Sequence, residues 1–128
     1  SFISLTKLLP VAYTFLTGEG EAVCLVKPQF EAGKDKVGKG GVVKDKETHA
    51  QVIGTVARAA EETGFFAAGL TYSPIKGPAG NIEYLLHLRK QSVGEIPTAS
   101  YSDDKKEPID APYIHEAVEE AHARLSDR

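Results

Sequence analysis

A lysine that follows a run of apolar residues is the first candidate for chemistry in this chain. Ala22-Val23-Cys24-Leu25-Val26 precedes Lys27, and Pro28 follows it. Pro28 has no N–H to donate and ends strand pairing, so Lys27 stands at the carboxyl end of the strand. Ligands of open α/β sheets bind at that end. Desolvation there favours the neutral amine, which can act as a general base. The competing reading is a lysine whose stem lies on the strand end while its ammonium reaches water. Glu83 is the second candidate. It sits inside the apolar segment Ile82-Glu83-Tyr84-Leu85-Leu86, where an unpaired inward carboxylate would be costly. It either faces solvent or pairs with a cation, and Lys27 is a candidate partner that it could orient and tune.

A third group is the glycine-rich loop 32–46, which carries Lys34, Lys36, Lys39, Lys44 and Lys46 against Asp35 and Asp45. Lys34, Lys36, Lys39 and Lys44 are the candidate RNA contacts. Phosphate backbones call for positive charge and adaptable donors more than for a fixed shape. A solvated mobile loop is the alternative. Gly33 to Lys39 also approaches a P-loop, but Gly40 stands where a Ser or Thr would meet Mg²⁺. Gly18-Glu19-Gly20 precedes a strand instead of following one, which excludes a dinucleotide fingerprint. His115, Glu119 and His122 share one helical side but lack ligand spacing and supporting cysteines. They read as a solvated face, and no metal is expected. The lone Cys24 reads as a buried inert thiol.

The elements that must position these residues follow from periodicity. Ser1 to Leu5 reads as the end of a strand. A helix follows, with Leu5, Leu8, Leu9, Ala12, Phe15 and Leu16 on one face, and Pro10 is tolerated only in its first turn or at a kink. Glu21 to Val26 reads as a central strand buried on both faces. Asp45 caps a helix running to about Thr63, with Gly64 at its C′ position and Val52, Ile53, Val56 and Ala60 inward. Phe65 to Leu70 and Ile82 to Arg89 are strands joined by the turn-rich segment Ser73 to Asn81, which suits an antiparallel pair. A polar linker spans 91–109. A C-terminal amphipathic helix spans 110–128, capped by Asp110, with Ile114, Ala117, Val118, Ala121 and Leu125 on one stripe. Strands alternating with helices give an α/β class with parallel crossovers. The chain is expected to form the second half of a doubly wound sheet, mainly parallel with an antiparallel last strand. The opening on Ser1, within a strand-like segment, suits a fragment.

Length and charge bound the function. The 128 residues suffice for one domain with a core. A net charge of −3 at pH 7 excludes a polycation, so nucleic-acid contact requires a local basic patch. One cysteine precludes an intrachain disulfide and suits a reducing compartment such as the cytoplasm. The longest uncharged stretch near the start, Leu8 to Gly18, is too short for a membrane span.

Three blocks carry a resemblance: Ser1-Phe-Ile-Ser-Leu5, Leu25-Val-Lys27-Pro-Gln-Phe-Glu-Ala-Gly33, and Ser73-Pro-Ile-Lys-Gly-Pro-Ala-Gly-Asn-Ile-Glu83-Tyr-Leu-Leu-His-Leu-Arg89. In this order they resemble the TlyA hemolysin family of bacterial rRNA methyltransferases over residues 1–90. The resemblance implies the C-terminal half of a Rossmann-like, S-adenosylmethionine-dependent methyltransferase domain of the FtsJ type. It implies 2′-O-methylation of cytidines in ribosomal RNA, with ribosomal RNA or ribosomal subunits as partners in the cytoplasm and no membrane. It implies a Lys-Asp-Lys-Glu catalytic set, in which Lys27 matches the second lysine, the base for the ribose 2′-OH, and Glu83 matches the glutamate. The set's aspartate would fall just before Ser1, and the first lysine and most of the S-adenosylmethionine site lie further upstream. This chain alone is therefore expected to be inactive. The competing functions are a non-catalytic RNA-binding module and a membrane-active hemolysin.

Overall fold

The computed structural model describes residues 3–90 and 109–125. Helix α1 spans Leu5–Phe15, strand β1 Glu21–Val26, the short helix α2 Pro28–Glu31 and the long helix α3 Lys46–Thr63. Strands β2, Phe65–Tyr72, and β3, Tyr84–Lys90, follow, and helix α4 spans Ala111–Leu125. The sheet order is β1-β3-β2. Both ladders are antiparallel, from Glu21↔Arg89 to Val26↔Tyr84 and from Phe65↔Lys90 to Tyr72↔Tyr84.

The expected parallel character does not appear in the ladders of the described residues. β1 and β2 do run in the same direction, as a helical crossover through α3 requires, but β3 turns back from β2 and inserts between them. Among the described residues no parallel ladder forms. The expected antiparallel pairing of the last two strands is present, with a bulge between Ala67 and Gly69.

The expected strand end is also corrected at Ser4 and Leu5, while Ser1 and Phe2 lie outside the described residues. Ser4 is an N-cap and not a strand residue: its Oγ accepts from the Thr6 N–H at 3.1 Å. Glu31, at the end of α2, reinforces that start by accepting from the Leu5 N–H at 3.0 Å and from the Ser4 hydroxyl at 2.8 Å. Pro10 lies inside α1, beyond its first turn, where it forfeits one intrahelical bond. The helix is rotated relative to the sequence reading. Leu9 is buried and Leu5, Tyr13 and Leu16 pack on the core, whereas Leu8 and Phe15 point outward, Phe15 being 80% exposed.

α3 matches its signals closely. The Asp45 carboxylate accepts from the Thr48 N–H at 3.0 Å and from its hydroxyl at 2.8 Å, and these bonds hold the Asp45 carboxyl below its usual range. At the other end Gly64 has φ 123, in the left-handed half of conformational space, and its N–H bonds the Ala60 and Glu61 carbonyls. α4 is capped by Asp110, whose carboxylate accepts from the Tyr113 N–H at 3.0 Å. It buries Ile114, Val118, Ala121 and Leu125 against α3 and β2. Of the expected linker, 91–108 lie outside the described residues, and Ile109 bonds the Ala67 carbonyl at the side of β2.

The core lies on one face of the sheet. Val26, Tyr84, Leu86, Leu88, Phe65 and Ala67 meet Ile53, Val56 and Ala60 of α3. β1 was expected to be central and buried on both faces. Among the described residues it is an edge strand, and on the face away from the helices Val23 is 65% exposed and Leu25 41%. Its apolar run is real, but half of it is uncovered among the described residues.

Candidate active site

Lys27 and Glu83 flank the last pair at one end of the β1–β3 ladder. The last paired residues are Val26 and Tyr84, both fully buried on the core side. Lys27 follows Val26 and Glu83 precedes Tyr84, so a continued register would set the two opposite each other, and strand alternation would turn both toward the other face. Pro28 then starts α2 at its favoured first position, and the Lys27 carbonyl accepts from the Phe30 and Glu31 N–H groups at 2.9 and 3.1 Å. The turn brings Phe30 beneath Lys27, whose Nζ lies 5.6 Å from the ring centroid.

Glu83 does not face solvent, as one reading of its strand position allowed; it is only 5% exposed. Its partner is Gln29, whose Nε2 donates to Glu83 Oε2 at 2.8 Å. Among the described residues no ion pair joins Lys27 to Glu83. The other amide atom, Gln29 Oε1, is buried and accepts no hydrogen bond. The Glu83 carboxylate lies against Gly77, so close that a Cβ there would overlap it. The loop between β2 and β3 is held by the Gly77 N–H on the Asn81 carbonyl at 2.7 Å and the Ser73 N–H on the Glu83 carbonyl at 2.8 Å.

The lysine loop is anchored by Asn81, which is 2% exposed. Its Oδ1 accepts from the Val43 N–H at 3.0 Å, and its Nδ2 donates to the Gly41 and Pro78 carbonyls at 2.9 and 3.0 Å. These bonds tie down this end of the loop, where Val43 is buried. Lys34 and Lys36 occupy one short 3₁₀ turn and Lys39 a second, and these lysines and Lys44 are exposed. Lys36 lines a cavity of about 400 Å³ between α1 and α3, with Ser4, Thr48 and Gln51, while Lys44 and Lys76 line another of about 300 Å³ beside His122. Lys46 pairs with Glu119 at 3.0 Å.

Three site residues had no reading from the sequence beyond turn or helix propensity: Gln29, Gly77 and Asn81. A polar residue directly after a strand-ending Lys-Pro was the available signal for Gln29. His49 was also missed. It is buried on the core side, where Nδ1 meets the Tyr84 hydroxyl at 2.7 Å and Nε2 the Val43 carbonyl at 2.8 Å. His122 leaves the expected solvated face and packs against His49, ring centroids 4.8 Å apart. His115 does stay exposed, facing Glu47 at 3.4 Å. Cys24 is half-buried, and burial pushes its thiol up, away from nucleophilic reactivity.

The cofactor suggested by resemblance finds no complete holder here. β1 ends directly in Lys27-Pro28 and β2 in the loop to β3, so no described strand runs through a glycine-rich turn into a helix. The residues present do not by themselves fit S-adenosylmethionine. No helix among the described residues is long and apolar enough to cross a membrane.

Comparison with known proteins is consistent across sequence and structure. The model of the FtsJ-like methyltransferase family matches residues 1–90. YqxC of Bacillus subtilis, provisionally named an rRNA methyltransferase, is 40% identical over all 128 residues, which cover 42% of its own length. The 16S/23S rRNA (cytidine-2′-O)-methyltransferase TlyA of Mycobacterium tuberculosis is 48% identical over 92 residues, 72% of this chain and 34% of that protein. A solved chain from Streptococcus thermophilus, provisionally titled a hemolysin, superposes with a TM-score of 0.81 at 38% identity, over 99% of this chain and 42% of that one. The chain thus spans about two fifths or less of the length of these relatives. With the match running through both Lys27 and Glu83, the chain belongs to the FtsJ-like methyltransferase family.

Proposed function

We propose that this chain is the C-terminal half of an S-adenosylmethionine-dependent 2′-O-methyltransferase that modifies cytidine ribose in ribosomal RNA in the cytoplasm. The observation that supports the reading is that Lys27 and Glu83 flank the last pair of the β1–β3 ladder, Val26 and Tyr84, within the stretch that matches the family. A ribose hydroxyl is a poor nucleophile until a base removes its proton. Lys27, half-buried at the strand end, is the base in this reading, and the buried Glu83 carboxylate stabilises the ammonium that forms. Lys34, Lys36, Lys39 and Lys44 contact the RNA backbone, where exposed ammonium groups on short turns suit phosphate oxygens.

The sheet supports the idea of a half-domain. β1 has a free edge among the described residues, and Val23 and Leu25 form an uncovered apolar strip beside it, as in a strand awaiting a neighbour and a covering layer. The relatives are long enough to supply both. In this reading residues 1–90 complete a Rossmann-like domain, 91–109 link it to the helix at 110–128, and the methyl donor is held mostly by residues outside this chain. The test is methyl transfer to ribosomal RNA by the full-length protein. Lys27→Ala is expected to lower the rate by about 10²–10⁴-fold with folding intact. A variant that keeps the wild-type rate removes Lys27 from the role of base.

A further inference from the structure

We propose that Gln29 is the positioning residue of this site: it fixes the Glu83 carboxylate and offers its free amide oxygen to the Lys27 ammonium formed when the lysine takes a proton. The inference rests on the reading of Lys27 as the base. It starts from an asymmetry in one side chain. Gln29 Nε2 is spent on Glu83 at 2.8 Å, whereas Oε1 is buried with no donor. Turning the amide over would set two acceptor oxygens against each other, so an ionised Glu83 dictates its orientation. A buried acceptor without a partner costs free energy, and native proteins keep few of them. The missing partner must be a donor, and the nearest candidate along the chain is Lys27. Its Nζ lies 5.6 Å from the Phe30 ring centroid, a weak site for a cation compared with a pair of oxygen acceptors. Lys27 therefore has two positions: over Phe30 while it waits, and beside Gln29 Oε1 and Glu83 once protonated.

Gly77 completes the arrangement. Its φ of −80 is open to any residue, so backbone freedom does not explain a glycine there. The Glu83 carboxylate does, because it occupies the space a Cβ would need. Gln29 on one side and a bare backbone on the other hold the carboxylate in one orientation.

Two variants test this in the full-length protein. Gln29→Met keeps the side-chain length and removes the amide, and Gly77→Ala pushes the carboxylate aside without straining the backbone. Each is expected to lower kcat about tenfold with KM for RNA within about twofold, the scale of one hydrogen bond to a charged group. In Gln29→Met the acid limb of the rate profile should also move to lower pH, because the ammonium has lost an acceptor; a packing defect would not move it. On the 128-residue chain, carboxyl-carbon NMR should find the Glu83 signal displaced in Gln29→Met. A wild-type rate and pH profile in Gln29→Met, or an unmoved Glu83 signal, overturns the proposal. If those results accompany an inactive Lys27→Ala, only the role of Gln29 falls; if Lys27→Ala is fully active, the base assignment falls and the NMR result alone decides the Gln29 contact.

Discussion

Two buried polar clusters sit back to back on β3, and they differ in how fully their hydrogen bonds are made. Tyr84 faces the core, where its hydroxyl donates to His49 Nδ1 and the opposite ring nitrogen donates to the Val43 carbonyl, so both histidine nitrogens are satisfied. Its sequence neighbour Glu83 faces the other way, onto Gln29, whose second amide atom is left without a donor. Closed polar networks hold elements together, here α3, β3 and the end of the lysine loop. An open one at a strand terminus is poised for a group that arrives or moves. The core cluster should therefore govern stability and the Glu83 cluster rate.

The largest effect that separates them is expected from His49→Leu. The change leaves the Val43 carbonyl and the Tyr84 hydroxyl buried without partners, at a cost of about 2–4 kcal/mol. Thermal unfolding should read this as a Tm lowered by about 10 °C, with the methylation rate per folded molecule unchanged. An equally large loss of rate in the folded variant would erase the distinction between the clusters.

A smaller effect follows from pH. Burial holds the His49 imidazole below its ordinary value, and the neighbouring His122 adds to this, although the bond to the Val43 carbonyl opposes them. The folded state thus binds this proton less readily than the unfolded chain. Its contribution to stability is complete above the unfolded value, near pH 6.5, and declines as pH falls below it toward the folded value. His115 has the opposite sign: its bonds to the Ala111 carbonyl and Glu47 raise it, so its contribution fades as pH rises. The comparison is therefore made as a difference. The dependence of Tm on pH below 6.5 should be shallower in His49→Leu than in the wild type, and equal slopes would remove His49 as its source.

Much of this was legible in the residues, and what was not depended on contacts between distant segments. α3 was readable from Asp45 to Gly64 because both ends carry local signals, a carboxylate cap and a glycine with positive φ. The β2–β3 pair was readable from its turn-rich connection. The insertion of β3 between β1 and β2 was not, since direction follows from a crossover but adjacency follows from register. The exposed face of β1 misled for a related reason: an apolar run reports that a strand will be covered, not whether the cover lies in the same stretch of chain. Ser4 reads as a strand residue in the sequence because the Glu31 carboxylate that helps start α1 lies 27 residues away. Gln29 was invisible for the same cause, its partner Glu83 being 54 residues further on. Lys27 and Glu83 were legible because an amine at a strand end and a carboxylate in an apolar strand each break a local rule.

The central claim is that Lys27 and Glu83 act as one unit, and a double-mutant cycle on methyl transfer tests it most directly. Glu83→Gln keeps the shape of the side chain, so its effect on Tm should be small beside that of His49→Leu. The account predicts that Lys27→Ala with Glu83→Gln is no slower than Lys27→Ala alone, because a carboxylate that serves the lysine has nothing left to serve. Fully additive losses would contradict it, since each residue would then act without the other.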